Sequence, residues 1–108
     1  MTQQHLQHIC VSIPVHLDQI SMASGVSIAE LMQSLTKLTS KDNWTFVSSE
    51  KSNDRYHRNH TMVTYESTLF ADKKLSVKLF LHPHDNSVTT IKFGRGTEDK
   101  RIAQVTVS

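Results

Sequence analysis

The spacing of the hydrophobic residues changes at Trp44, and this change constrains the fold more than any other feature of the chain. Before Trp44, apolar residues recur every three or four positions over residues 17–38, which is typical of helices. After Trp44 they alternate with polar residues, most clearly over Leu75–Leu81. Helices followed by a run of strands predict an α+β domain, with the helices on one face of an antiparallel meander of four to five strands.

Residues 17–35 predict two short helices joined at a corner. Gly25 ends the first helix, which we expect over residues 17–23. Ser27 and Glu30 have the spacing of a capping box and begin a second helix that extends to about residue 39. The apolar positions of the pair are Leu17, Ile20, Val26, Leu31 and Leu35. This arrangement resembles a helix-turn-helix, a motif that often reads DNA.

The charge distribution argues against DNA reading by this helix pair. The first 50 residues carry two lysines against four acidic residues, whereas the remainder carries ten cationic against six acidic residues. On the second helix, Gln33 could pair with an adenine edge, and Lys37 is the first basic residue. Asp18 and Glu30 oppose the phosphate contacts that supply most affinity for DNA. An ordinary helical hairpin packed on the sheet is therefore favoured.

The strands are predicted from β-branched residues and alternation. Residues 8–15, with Ile9, Val11, Ile13 and Val15, predict an N-terminal strand that Pro14 ends or places at an edge. Four further strands are expected over residues 44–49, 60–70, 75–81 and 88–93, and residues 102–107 form a fifth strand or a tail. The length fits a single domain over residues 1–108. We expect residues 1–8 to be flexible and the polar loop 50–59 to be mobile.

One face of the sheet combines cationic and aromatic residues. If the leucines and valine of Leu75–Leu81 point to the core, Lys74, Lys78 and Phe80 point outward, with Lys92 beside them and Arg95 nearby. Lysines around an exposed aromatic ring suit single-stranded nucleic acid. An acidic protein segment or anionic lipid fits the same patch, and a solvated face with one exposed aromatic residue is the plain alternative.

The sequence holds no catalytic motif that we can identify. The chain has seven histidines, and His57, His60, His82 and His84 have spacings that occur among metal ligands. A turn fixes imidazoles poorly, so we expect neither a metal nor a cofactor, and whether these histidines act together stays open. Nucleophile-elbow, phosphate-loop and HExxH patterns are missing from the sequence, so no enzymatic activity is expected. The polar start and the lack of a long apolar run favour a cytoplasmic protein without a membrane span.

Two functions of different classes follow. The leading hypothesis is a small non-enzymatic regulatory protein associated with nucleic acid. Its proposed contact residues are Gln33, Lys37, Lys74, Lys78, Phe80, Lys92 and Arg95. The alternative is a protein–protein interaction module, such as an adaptor, an inhibitor or a secretion-associated factor. It would use the sheet edges and the helical face, and a homo-oligomer formed through a sheet edge belongs to this alternative.

Overall fold

A computed structural model describes residues 2–53, 55–70, 72, 74–95 and 98–106. The helical half consists of α1 (Thr2–Ser12), α2 (Leu17–Ser24), α3 (Ile28–Gln33) and α4 (Leu35–Leu38), with 3-10 turns at Ile13–Val15 and Lys41–Asn43. The strands are β1 (Trp44–Lys51), β2 (Thr61–Ser67), β3 (Leu75–Leu81), β4 (Val88–Arg95) and β5 (Glu98–Thr106). They form one antiparallel sheet in the order β1-β2-β3-β4-β5. The predicted α+β meander is confirmed.

The predicted N-terminal strand over residues 8–15 is wrong, because this segment lies in α1 and the 3-10 turn that follows it. Ile9 and Ile13 are buried, whereas Val11 and Val15 are exposed. The alternating β-branched residues therefore fall on two faces of a helix, since positions four apart share a face and positions two apart do not. Pro14 lies at the start of the 3-10 turn, where its missing N–H costs little.

The helix pair at residues 17–35 forms as predicted, with the corner at Gly25. Gly25 adopts a left-handed conformation with φ 79°, which a residue without Cβ tolerates. The Oγ of Ser27 accepts a hydrogen bond of 3.1 Å from the backbone N of Glu30, which caps α3. The second helix is interrupted at Ser34, which separates α3 from α4. The corner at Gly25 therefore joins α2 to α3, and the short helix α4 follows α3.

The core lies between the helices and one face of the sheet. Helix α2 packs against β4 and β5, and Leu31 and Leu38 are fully buried in the same cluster. The apolar positions of β3 and β4 that face the helices are Leu75, Val77, Leu79, Leu81, Ile91 and Phe93, all buried. The inward direction predicted for β3 is therefore confirmed. The indole Nε1 of Trp44 donates a 2.8 Å hydrogen bond to the carbonyl of Leu38, which ties the helical half to β1.

The strand limits differ from the prediction mainly at turns. Strand β1 continues to Lys51, β4 passes through Gly94 to Arg95, and β5 begins at Glu98 rather than at residue 102. Backbone pairing across a hairpin does not require alternating hydrophobicity, so the polar ends of these strands carry a weak pattern. A register shift between Phe46 and Ser48 marks a bulge in β1.

Tyr65 places a hydroxyl group in the core without a partner. The residue is 2% exposed, and its Oη has no hydrogen-bond partner among the residues that the structure describes. Its ring meets Phe46 edge-on, with the ring centroids 6.0 Å apart. Burial raises the pKa of Tyr65, so the phenol stays neutral. The hydroxyl therefore opposes folding, because a buried polar group loses its bonds to water.

We expect Tyr65→Phe to stabilise the protein. Removing an unpaired buried hydroxyl should raise the free energy of unfolding by about 1 kcal/mol, or the melting temperature by roughly 4–8 °C. Chemical denaturation measures the change. Tyr56→Phe, at a residue that is 79% exposed, is the control and should leave stability unchanged. A loss of stability in Tyr65→Phe would show that this hydroxyl is bonded in solution.

Candidate nucleic-acid interface

The outer face of the sheet, opposite the helices, brings two of the predicted lysines together. Lys78 on β3 is directly opposite Lys92 on β4 in the strand register. Side chains at such positions have Cβ atoms only about 5 Å apart. Both lysines are half-buried. The paired cations concentrate positive charge at the centre of this face.

The expectation that Phe80 is exposed is wrong. Phe80 also points to the outer face, but it is only 2% exposed. The imidazole ring of His57 stacks on it, with the centroids 4.3 Å apart and the planes 29° apart. The Nζ of Lys92 lies 5.0 Å from the centre of the same ring. Phe80 is therefore an anchor beneath the β1–β2 loop, and it does not present a ring to an incoming base.

His57 holds the β1–β2 loop against the sheet. It is 7% exposed, and its Nε2 shares a hydrogen bond of 2.9 Å with the Oγ1 of Thr90. The backbone N of Ser52 donates to the carbonyl of His60 at 2.9 Å, and the N of His60 donates to the carbonyl of His57 at 3.2 Å. These contacts join the two ends of the loop to each other and join His57 to the sheet. The predicted mobility of residues 50–59 stays a prediction.

The same loop carries a cationic and aromatic surface that the sequence patterns did not reveal. Tyr56 is 79% exposed, and the Cζ of Arg55 lies 5.5 Å from the centre of its ring. A shallow concavity of about 380 Å³ lies in the same loop, and Arg55 is part of its lining. Its lining residues are Lys51, Ser52, Asn53, Arg55, Arg58 and Asn59. The signal in the sequence is the tyrosine between two arginines over residues 55–58.

Four histidines form a row beside this loop. The ring centroids of His57 and His60 are 5.4 Å apart, those of His60 and His82 are 5.6 Å apart, and those of His82 and His84 are 5.2 Å apart. The Nδ1 of His82 accepts a 3.1 Å hydrogen bond from the backbone N of His84, so this nitrogen is already engaged. Within the described part of the chain, no group of three or more His, Cys, Asp or Glu side chains is arranged to hold a metal ion.

The remaining predicted contact residues are separated from this surface or lie at its margin. Lys74 is exposed at the β2–β3 turn. The side chain of Arg95 lies outside the described residues. Gln33 and Lys37 are exposed on α3 and α4, which belong to the helical layer behind the sheet. The structure therefore unites Lys78, Lys92 and the loop, and it leaves the two helix residues apart from them.

We expect His57→Ala to loosen the loop. Losing the stacked ring and the bond to Thr90 should lower the free energy of unfolding by about 1–3 kcal/mol. The amide hydrogens of Ser52 and His60 should exchange faster with solvent, which NMR measures. His84→Ala is the control, because His84 is exposed. Unchanged exchange at Ser52 and His60 in His57→Ala would show that the loop does not depend on this contact.

The hydrogen bonds that Asp85 accepts in the β3–β4 turn should stabilise the protein at neutral pH and lose this effect in strong acid. Hydrogen bonds from the backbone N and Oγ of Ser87 hold the pKa of Asp85 below its usual value. Because the pKa in the folded state lies below that in the unfolded state, this contribution is present above about pH 4 and is lost as the pH falls through the folded value. An NMR titration should show Ser87→Ala raising the pKa of Asp85. An unchanged pKa would mean that the bond from the Oγ of Ser87 does not form in solution, since the backbone N of residue 87 still donates to Asp85 in this variant.

Comparison of the chain with protein-family models, with curated protein sequences and with solved structures finds no match. None of the described helices is both long and apolar enough to cross a bilayer. A function for this chain must therefore be inferred from the geometry and charge of the β1–β2 loop and the outer face of the sheet.

Proposed function

We propose that this protein is a non-enzymatic, cytoplasmic regulatory protein that binds nucleic acid through the loop and the outer face of the sheet. The observation that carries the proposal is a pair of lysines on the outer face beside an anchored loop that itself carries Arg55 and Arg58. Lys78 lies opposite Lys92, Lys92 approaches the ring of Phe80, and His57 stacks on that ring. We call this surface the basic face; it consists of Lys51, Arg55, Arg58, Lys78 and Lys92.

The chemistry of the basic face suits a polyanion. Arginine guanidinium groups form paired hydrogen bonds with phosphate oxygens, and lysines supply mobile point charges. Each phosphate that a cation neutralises releases condensed counterions, which makes the affinity depend on salt. If all five cations engage a single strand, the logarithm of the association constant should fall with the logarithm of salt concentration with a slope of about −3.5.

The helix pair has a packing role in this proposal. Asp18 and Glu30 are exposed on the helical layer, where they repel phosphate. Gln33 and Lys37 lie on that same layer. We therefore expect neither residue to contribute much, and Lys37 supplies a control for charge that lies outside the basic face.

A protein partner is the second candidate function, favoured by the exposed edge of the sheet. Strand β1 is the first strand in the sheet order and pairs with β2 on one side. It exposes the apolar side chains of Phe46 and Val47, which are 51% and 47% accessible. Open edge strands accept a strand from another chain or from a second copy. This edge would serve an adaptor, an inhibitor or a secretion-associated factor.

The nucleic-acid proposal is tested by titrating a labelled oligonucleotide at several salt concentrations. We expect the affinity to fall by tenfold or more between about 50 and about 200 mM salt. Lys78→Ala and Lys92→Ala should each weaken binding and reduce the single-strand salt slope by about 0.7. Lys37→Ala is the matched control and should change binding little. A salt-independent affinity, or equal effects of all three substitutions, would contradict the proposal.

The protein-partner candidate makes a different prediction. Light scattering during size-exclusion chromatography should then detect a concentration-dependent dimer, and Phe46→Glu should abolish it by placing a charge in the edge contact. A protein that is monomeric at every concentration, with or without this substitution, would count against self-association through β1.

A further inference from the structure

We propose that the β1–β2 loop is a site for one nucleotide of an unpaired strand, with the base stacked on Tyr56 and its phosphate in the concavity of the same loop. This inference rests on the proposed function and makes it more specific. It names single-stranded nucleic acid as the ligand and assigns its recognition to Tyr56, Lys51 and Arg58, none of which was among the residues selected from the sequence.

The first support is the exposure of Tyr56 in a cationic setting. With 79% of its surface in solvent, it is the most exposed of the large apolar side chains in the described part of the chain. The neighbouring guanidinium of Arg55 lies over its ring. An aromatic ring next to an arginine offers both stacking and a cation–π contact to a base.

The second support is the concavity in the same loop, which shares Arg55 with the aromatic contact. Its volume of about 380 Å³ lies at the lower end of the range of about 300–1,000 Å³ found for small-ligand sites. Lys51, Arg55 and Arg58 supply the positive charge, and Asn53 and Asn59 supply short hydrogen-bonding groups. This combination suits a phosphate group, because it offers charge and several donors within one small space.

The third support is the anchoring of the loop. His57 lies between Tyr56 and Arg58 in the chain, and its ring is fixed on Phe80 and bonded to Thr90. The residues on either side of His57 are therefore held at the surface in a defined place. The contacts of His57 reduce the conformational entropy that its neighbours would lose when the ligand arrives.

The geometry favours an unpaired strand over a duplex. In a duplex both faces of each base are covered by neighbouring bases, so a single tyrosine on a loop cannot stack without unpairing. The segment 50–60 has three cationic residues against the acidic residues Glu50 and Asp54, so its net charge is small. Charge alone therefore attracts a polyanion weakly at this loop, and stacking has to supply the selectivity.

The test compares Tyr56→Ala and Tyr56→Phe on a single strand of about 12 nucleotides and on a duplex of the same sequence. We expect Tyr56→Ala to weaken single-strand binding by about 5- to 150-fold, the loss typical of one stacked base. The salt slope should stay unchanged, because no charge is removed. Tyr56→Phe keeps the ring and should bind within about twofold of the parent protein. Duplex binding should not respond to either substitution.

Arg58→Ala tests the phosphate half of the site. It should reduce the salt slope for the single strand by about 0.7. Thermal unfolding of all three variants should match that of the parent protein, because Tyr56 and Arg58 are exposed.

The possible outcomes separate this inference from the proposed function. Suppose that the parent protein binds nucleic acid. If Tyr56→Ala then has the affinity of the parent protein, or loses affinity for the single strand and the duplex equally, the nucleotide site is overturned and the proposed function stands. If neither nucleic acid binds, the proposed function fails. The loop is then titrated with adenosine monophosphate while the NMR signals of the Tyr56 ring are followed. Saturable shifts that Tyr56→Ala abolishes would support the site, and unchanged signals would overturn it.

Discussion

The stacking of His57 on Phe80 is the contact on which the arrangement of the outer face depends. The helices cover one face of the sheet, so an apolar side chain on the other face needs a separate cover. Phe80 receives it from the β1–β2 loop, which places His57 at 4.3 Å from its ring and bonds it to Thr90. Stacking of this kind contributes about 0.5–1.5 kcal/mol beyond the burial of area. One short loop thereby becomes a third layer over part of the sheet.

This contact also determines where the charges of the loop lie. Arg58 follows His57 in the chain and Tyr56 precedes it, so anchoring the imidazole brings both to the edge of the outer face. Lys92 contacts the same phenylalanine ring from its own strand. The loop anchor His57 and the strand residue Lys92 therefore contact the same buried ring. Phe80 is the link between the loop that carries the proposed nucleotide site and the strand that carries Lys92.

Much of the fold could be predicted from the sequence because its strands and helix corner have strong local signals. The limits of β3 match Leu75–Leu81 as predicted, since one face of that strand is uniformly apolar. The Ser27 cap of α3 also forms as expected. The secondary structure of residues 8–15 could not be assigned correctly. Their apolar residues alternate as in a strand, and Ile9 and Ile13 are also four positions apart, as on one face of a helix. The burial of Ile9 and Ile13 beside exposed Val11 shows that tertiary packing selects the helix.

The candidate site was predictable only where it lies on strands. Alternation places Lys78 and Lys92 on one face, and the structure agrees. Alternation does not show whether a loop covers that face, so it predicts an exposed Phe80 and gives no signal for the loop residue Tyr56. The cover of Phe80 is the ring of His57, which lies in a polar loop with no hydrophobic pattern.

The charges around the outer face bear on how a polyanion would approach. Lys78 and Lys92 lie opposite each other on this face, and the strand register places Glu66 of β2 and Glu50 of β1 on the same face. The helical layer carries the exposed acids Asp18 and Glu30 together with the exposed Lys37. The charge difference between the two halves of the sequence therefore does not become a difference between two faces. A polyanion bound to the outer face would have to follow the lysine pair and avoid the two glutamates, because like charges repel it at close range.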